Sequence, residues 1–495
     1  MAVSSPDCPT VAIAGATGFI GTAVRRALRG DVHIVGLTRS PVRARANADR
    51  HENETWRHCD LFDPYAVRAG LDGADVAIYL VHSMHPTSRL TQAQVADLDL
   101  LQADNFARAA AAEGVEQILY LGALVPDDTT DLPPRLRSRR EIELALGAAG
   151  VPVTTLRTGF IVGPGGTWLR LLLNLVHRLP VMLLPAWTRA TTQPIALDDI
   201  VRGLTHCLGT PETYGRTYDV GGPERMTYRE LLARTAEVLG LRRPMATVPF
   251  DAPELSKLWV YVFGGVPWAL VSPIVDSLRY QAKVQPNPLQ EALVADAIPY
   301  EDALAASVDE RGWPLPNPRD DLRDRDDAEI RAQSVARSVQ RMPCPPGYDA
   351  RDVALEYLRW LPRLGWPLLR VRVSQRRVAR FQIRPTGHTL LTLRFAEDRS
   401  PQGRQAFYVT GGLLVDEGGP RTGRLEFRQA LDDRTVLAAV HDFSPRLPWS
   451  VYNGTQALVH LLVMHRFRRH LARLSDEQTA LQPPVASSTE PRTIE

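Results

Sequence analysis

Val11-Ala-Ile-Ala-Gly15-Ala-Thr17-Gly18-Phe19-Ile20-Gly21 is the stretch on which the fold turns. A short run of small and β-branched apolar residues reads as a buried strand. It meets three glycines spaced three apart, and a helical pattern, Ile20 to Arg29, starts at once. Gly15 permits a tight turn, Gly18 lets backbone N–H groups approach a pyrophosphate, and Gly21 lets helix and strand pack closely. The phosphates belong at the positive end of the helix that follows. Because strand and helix both stand where the loop requires them, the spacing predicts a dinucleotide site on Gly15, Thr17, Gly18, Phe19, Ile20 and Gly21.

Outward from this loop, apolar runs alternate with helical patterns. Strands are expected at Val32–Leu37, Asp75–Val81, Gln117–Leu121 and Val153–Leu156, and a helix over Asp97–Glu113 closed by Gly114. Such alternation means βαβ crossovers and a parallel sheet covered on both faces. The fold class is α/β, a doubly wound parallel Rossmann sheet. The end of the second strand selects the nucleotide. A site for NAD wants a carboxylate there, but the chain has Leu37-Thr38-Arg39-Ser40 with Arg43 close behind. A guanidinium suits a 2′-phosphate, so NADP is expected over NAD. Cys59-Asp60-Leu61, after the next strand, places Asp60 and Leu61 at the adenine, and Val81 lies at the sheet edge where ligands collect.

Leu169–Leu184, Gln193-Pro-Ile-Ala-Leu-Asp-Asp199 and Tyr218-Asp-Val-Gly-Gly-Pro, with a Thr227-x-x-Glu230 capping box, continue the domain as an extended substrate lobe. The expected organisation is a nucleotide-binding unit over 8–312, a linker over 313–345, a C-terminal α+β domain over 346–475 and a disordered tail over 476–495. The linker rests on the mixed-charge run Arg319–Arg331 and the Met342-Pro-Cys-Pro-Pro-Gly347 break. The C-terminal domain rests on strands near Leu368–Val373, Ala379–Ile383, Leu390–Phe395, Phe407–Val415, Arg424–Phe427 and Val436–Val440, closed by one long helix over Trp449–Leu474.

The whole-chain balance excludes some functions. With 58 Lys+Arg against 56 Asp+Glu over 495 residues, the chain lacks the basic excess of a nucleic-acid binder. Four scattered cysteines without a C-x-x-C pair fit neither a disulfide scaffold nor a zinc ribbon and suit a reducing, cytoplasmic compartment. No secretory leader is read at Met1–Thr10. Leu258–Val275 is free of charge, but Gly264, Gly265, Pro267 and Pro273 break it, so a docked helical hairpin is expected rather than a span, with peripheral membrane contact left open. His82-x-x-His85 has no third ligand for a metal. The basic end of the last helix, Arg466 to Arg473, is read as a solvated face.

In these motifs, together with Tyr79-Leu-Val-His-Ser-Met84, Leu119-Tyr-Leu-Gly-Ala123 and Leu136-Arg-Ser-Arg-Arg-Glu141, the chain resembles the atypical, extended short-chain dehydrogenases/reductases. Within them it is similar to bacterial NAD(P)-binding proteins fused to a C-terminal domain of unknown function, related to NmrA-type redox sensors and to the Rossmann accessory subunit of respiratory complex I. The C-terminal element order resembles helix-grip, START-like folds that hold apolar ligands. The resemblance implies an oxidoreductase, but with a departure. The superfamily's active reductases use a Tyr-x-x-x-Lys pair, and here those positions fall on Arg135 and Arg139, with the Gly122 region in place of the usual serine. Arginine supplies no phenolic proton near neutral pH, although Arg139 can hold the ribose. His82 and Ser83 are thin candidates for a proton donor, and no catalytic residue is assigned. Two readings stay open: an NADP(H)-dependent oxidoreductase acting on a small apolar substrate, or a non-catalytic NADP(H)-binding sensor or assembly factor.

Overall fold

The structure is a computed structural model that describes residues 8–45, 51–82, 89–125, 132–247, 253–265, 268, 271, 275–276, 283–316, 328, 332, 335–364, 367–375, 377–418, 422–431 and 434–481. The chain divides into two compact units, Met1–Met84 with Leu98–Ala328, and His85–Asp97 with Glu329–Glu495.

In the first unit, β1 (Thr10–Ala14) leads into α1 (Phe19–Ala27), β2 (His33–Thr38), β3 (Glu54–His58), α2 (Pro64–Leu71) and β4 (Val76–Tyr79). The segment β5 (Leu90–Ala93) belongs to the other unit, after which α3 (Val95–Ala112), β6 (Gln117–Ala123), α4 (Pro134–Gly147) and β7 (Val153–Thr158) return to the first. With β8 (Thr217–Val220) these strands form one seven-stranded sheet in the order β8-β7-β6-β4-β1-β2-β3. All its pairings are parallel, as the buried β-branched runs require. The strand order reverses between β1 and β4, the crevice where open α/β sheets bind ligands.

The rest of the unit is a lobe with its own apolar core. It uses α5 (Thr167–Arg178), α7 (Tyr228–Val238) and α8 (Pro253–Gly264), whereas α6 (Leu197–Cys207) joins the core of the seven-stranded sheet beside α1. The expected capping box is present, with Thr227 Oγ1 accepting from the Glu230 backbone and the Glu230 carboxylate from that of Thr227. Gln193-Pro-Ile-Ala-Leu-Asp-Asp199 works as a staple. Gln193 donates to the Gly222 carbonyl at 2.7 Å and Asp199 accepts from Ile298 N at 2.9 Å. Gly222 passes so close beneath Pro194 that a Cβ would sit 2.0 Å from its carbonyl oxygen. Of the expected hairpin at Leu258–Val275, α8 supplies the first arm, and 266–267, 269–270 and 272–274 lie outside the described residues. Among the described residues no helix is long and apolar enough to cross a membrane.

The second unit is an eight-stranded sheet built on β9 (Ala336–Pro343), with α9 (Ala350–Leu364) following it. Its other strands are β10 (Leu369–Val373), β11 (Val378–Ile383), β12 (Thr389–Phe395), β13 (Arg404–Gly411), β14 (Arg424–Ala430) and β15 (Thr435–Phe443), and it ends in α10 (Trp449–Gly454) and α11 (Gln456–Leu481). The strand order is β10-β11-β12-β13-β14-β15-β9-β5. One face carries the apolar core, where Tyr357 and Trp360 of α9 and Phe467 of α11 meet ring to ring at 5.1 Å and Phe427 of β14 joins them.

Four expectations are corrected here. The stretch read as linker contains β9, whose Arg337 and Ser338 are buried; with polar residues facing inward, no apolar alternation marked the strand. The helix α9 was not anticipated. The expected single helix is broken at Thr455, and α11 runs to Leu481, past the point where the polar tail was placed. Finally, β5 pairs in parallel with β9, Leu90 opposite Ala336 and Ala93 opposite Val339; four half-buried residues leave no period to read.

The other face of this sheet buries charge. Glu426 accepts from Arg404 at 2.7 Å and Arg428 at 2.6 Å and faces His441 at 3.3 Å, while Asp442 meets Arg337 at 3.0 Å and Arg424 at 3.3 Å. Burial alone would raise the Glu426 carboxyl, but Arg428 and Arg404 outweigh it and hold the group well below the usual carboxylate range. Removing one member of a buried ionic set leaves the others unpaid, so Glu426→Ala is expected to cost about 3 kcal/mol or more in urea unfolding of the full chain. His460 donates or accepts at Ser338 Oγ over 3.1 Å, and burial lowers it from 6.5 to about 4. The unfolded chain therefore takes up this proton first, and the stability His460 contributes above pH 6.5 is lost as pH falls toward 4. His460→Gln should flatten that acid-side slope in denaturation curves recorded across the same window.

Candidate functional site

The glycine loop is shaped by close contact. Gly15 has φ +88°, and a Cβ on it would meet the Leu80 carbonyl oxygen at 2.9 Å. A Cβ on Gly21 would lie 2.2 Å from the Gly15 carbonyl oxygen, so no other residue lets α1 start this near β1. Gly18 N donates to Gly15 O at 2.8 Å, and the first helical bond runs from Thr22 N to Gly18 O at 3.0 Å. The amides of Phe19, Ile20 and Gly21 thus precede the first intrahelical donor, Thr22 N. Gly18 offers no side-chain cap, and the first turn holds no acid. Thr17 is half-buried in the turn. These features fit an anionic pyrophosphate on the α1 N-terminus. The Phe19 ring lies against the Gly163–Gly166 turn, so this residue ties the loop to the lobe.

Arg39 is exposed directly after β2, and the Arg43 side chain lies outside the described residues. Asp60 is buried after β3, and its Oδ1 accepts from Phe62 N at 3.1 Å, which shapes the loop. Asn105 donates to the Leu61 carbonyl at 2.7 Å, holding that loop against α3. Val81 follows β4 at the sheet's carboxyl edge, half-buried. The structure brings the glycine loop and Val81 to the switch point between β1 and β4, and Arg39 and Asp60 to the ends of β2 and β3.

A second cluster occupies the first two turns of α4. Arg139 Nη1 meets His82 Nδ1, and Tyr120 donates its hydroxyl to the Arg139 carbonyl oxygen at 3.3 Å. Arg135 lies over the Trp168 ring at 5.2 Å. Burial, then Arg139, lowers Arg135 to about 10, and burial lowers Arg139 as well. Burial, Arg139 and Arg135 together push His82 well below its ordinary 6.5. A guanidinium can only donate, so His82 Nδ1 accepts and the ring proton sits on Nε2. His82 is therefore neutral at pH 7 and orients Arg139. Burial raises the phenols of Tyr79, Tyr120 and Tyr228, the last to about 12. The cluster holds positive charge and offers no group poised to give up a proton near neutrality. Ser83 and His85 lie outside the described residues.

Sequence reasoning missed Trp168, Tyr228 and the Tyr79 hydroxyl. Tyr79 is fully buried between Phe106 and Tyr120, and among the described residues its hydroxyl meets no hydrogen-bond partner. Nothing in an apolar strand signals that, and Trp168 and Tyr228 reach Arg135 only through the folding of the lobe. Gly122 packs a bare Cα against Tyr120, Thr155 and Arg157.

Residues 15–169 match the profile of the family described as NAD(P)H-binding. These residues form an NAD(P)-binding domain. A curated relative is the auxiliary protein GraX of Staphylococcus aureus (strain NCTC 8325 / PS 47), 30% identical over 152 residues. That alignment covers 31% of this chain and 45% of the relative, so the chain spans less than half of that relative's length. Among solved structures, a nucleoside-diphosphate-sugar epimerase from Staphylococcus aureus gives a TM-score of 0.48 at 19% identity, covering 60% of this chain and 99% of the other. The Citrobacter sp. triphenylmethane reductase complexed with NADP(H) gives 0.49 at 20%, covering 60% and 99%. The Escherichia coli NADPH-dependent quinone oxidoreductase complexed with NADPH gives 0.48 at 20%, covering 60% and 98%.

Within the NAD(P)-binding domain the Gly21 contact is the most exacting feature. Gly21→Ala should weaken NADPH at least about tenfold in a fluorescence titration and lower the unfolding free energy by about 1–3 kcal/mol, the usual range for overpacking. Gly147→Ala, where the nearest atom to a new Cβ is Val153 Cγ2 at 3.8 Å, should leave both unchanged or improved.

Proposed function

We propose that the chain is an NADP(H)-dependent oxidoreductase of the atypical short-chain dehydrogenase/reductase type that works without the Tyr-x-x-x-Lys pair. The loop Gly15, Thr17, Gly18, Phe19, Ile20 and Gly21 holds the pyrophosphate and Arg39 the 2′-phosphate. Asp60 and Leu61 border the adenine, Val81 borders the cofactor beyond β4, and Arg139 holds the ribose. When bound, the nicotinamide supplies the hydride, and the lobe beside α4 receives the acceptor. The observation that carries the reading is the glycine loop at the sheet's switch point with an arginine, not a carboxylate, at the end of β2.

A charge-assisted bond to a phosphate is worth about 1.5–3 kcal/mol, roughly tenfold or more in affinity. Melting shifts recorded in parallel with NADPH, NADP+, NADH and NAD+ should therefore favour the phosphorylated pair, and Arg39→Ala should remove most of that preference. Equal shifts for NADH and NADPH in the native chain would overturn the choice of cofactor. NADPH oxidation in a quinone and carbonyl panel, lost in Gly18→Asp, tests turnover.

Two observations favour a second reading, a non-catalytic NADP(H)-binding sensor or auxiliary factor. The acid of the superfamily is replaced by arginine, and the curated relative is itself described as an auxiliary protein. This reading expects NADPH and NADP+ to differ in affinity or in partner capture, with no turnover.

A further inference from the structure

Elsewhere in this unit arginines that leave solvent find oxygen acceptors, Arg57 and Arg243 on backbone carbonyls and others on carboxylates. Arg25 meets Glu54 at 2.6 Å, and Arg157 forks onto both oxygens of Glu143 at 3.1 and 2.9 Å. Arg135 and Arg139 break this habit. They stand four apart on α4, where like charges repel, and they sit in its first two turns, where the helix dipole already favours anions. The first turn of α4 holds no acid, and among the described residues neither guanidinium has a carboxylate within ion-pair distance. What they do have is orientation. His82 holds Arg139 through its ring nitrogen, and Trp168, itself edge-on to Phe160 at 6.5 Å, lies under Arg135. Neither partner neutralises a charge. Two oriented, half-buried cations with no carboxylate in contact among the described residues, Asp99 acting on Arg139 only from beyond ion-pair distance, form an incomplete ion pair.

The geometry points to an anion-binding subsite in which Arg135, with the Arg139 donors that the ribose leaves open, takes the carboxylate or phosphate of an organic substrate whose apolar body lies against Trp168 and Phe160. This rests on the oxidoreductase reading above and sharpens its substrate from apolar to amphiphilic and anionic. The cofactor's pyrophosphate is the other anion within the domain, but the α1 N-terminus already answers that group. Guanidinium forks match the paired oxygens of carboxylate and phosphate, and a fixed fork loses little entropy on binding.

Calorimetric titration of the full chain with benzoate, phenyl phosphate, inorganic phosphate and neutral benzamide, with and without saturating NADPH, tests this. Saturable binding of benzoate or phenyl phosphate, about tenfold or more tighter than benzamide, is expected, and Arg135→Gln and Arg139→Gln should each weaken it about tenfold. Because the substitution removes a half-buried cation with no carboxylate in contact among the described residues, Arg135→Gln should also melt no lower than the native chain, which separates lost binding from lost folding. Its NADPH affinity should stay within about twofold. Tighter binding of the two aromatic anions than of inorganic phosphate supports the apolar wall; binding of inorganic phosphate with equal strength overturns it. Equal affinity for benzamide, unchanged affinity in Arg135→Gln, or displacement of the anions by NADPH would overturn the subsite, the last by giving the arginines to the cofactor. If no nucleotide binds yet the anions still bind and are lost in Arg135→Gln, the subsite stands and the oxidoreductase reading falls.

Discussion

The nucleotide-binding unit depends on backbone meeting backbone with nothing between. At Gly21 a single methyl group would stand 2.2 Å from the Gly15 carbonyl oxygen, so the start of α1 is pressed onto the end of β1. That closeness brings three amides and the helix dipole to the sheet's carboxyl edge, where β1 and β4 part. Similar approaches recur. Gly36 lies under the Trp56 ring, with only 2.6 Å for a Cβ, and lets β3 and its Glu54 pair with Arg25. Gly163 and Gly166 admit the Phe19 ring and so couple the loop to the lobe. The same omission of a side chain thus sets helix on strand, edge strand on sheet and lobe on loop.

The second unit solves a different problem. Its sheet has an apolar face under α9 and α11, and an opposite face where Glu426 and Asp442 each collect cations. The β9–β15 pairing slips between Ala336 and Ser338, and Asp442 takes φ +50°, which marks a bulge. An extra residue in one strand re-aims its neighbours, and here it turns Asp442 toward Arg337 and Arg424 together. Each pairing is costly in lost hydration and is tolerated only because several partners converge. An ionic set of this kind specifies register more than it adds stability, since a one-residue slip would strand every charge at once.

This contrast explains what the sequence made legible. Val11 to Gly21 could be read because each glycine has a local reason and because buried parallel strands are apolar throughout. Thr227 and Glu230 could be read because a cap is made by residues three apart. β9 could not, because Arg337 and Ser338 hide the period, and their partners lie at Asp442 and Gln92, far away in the chain. β5 was invisible for a related reason: Leu90 to Ala93 becomes a strand only beside β9. At the site, the missing tyrosine and lysine were plain from spacing. That Trp168 lies beneath Arg135 depends on lobe packing, and that His82 meets Arg139 depends on how α4 lies against the end of β4, neither of which a local pattern records.

Two guanidiniums on α4, with no phenol or ammonium beside them on that helix turn, limit what chemistry the site can support. A tyrosine paired with lysine has a proton to give when hydride reaches a carbonyl, and the product is a neutral alcohol. Arg135 and Arg139 have none, and the imidazole beside them is held neutral by burial and by their own charge. What they can do is stabilise negative charge as it develops, as fixed cations do when already in place. An acceptor that must be protonated during reduction is ill served here. One whose reduced form persists as an anion, taking its proton later from water, is well served. Under the proposed oxidoreductase reading, the two arginines therefore narrow the choice of acceptor to one whose reduced form carries the charge.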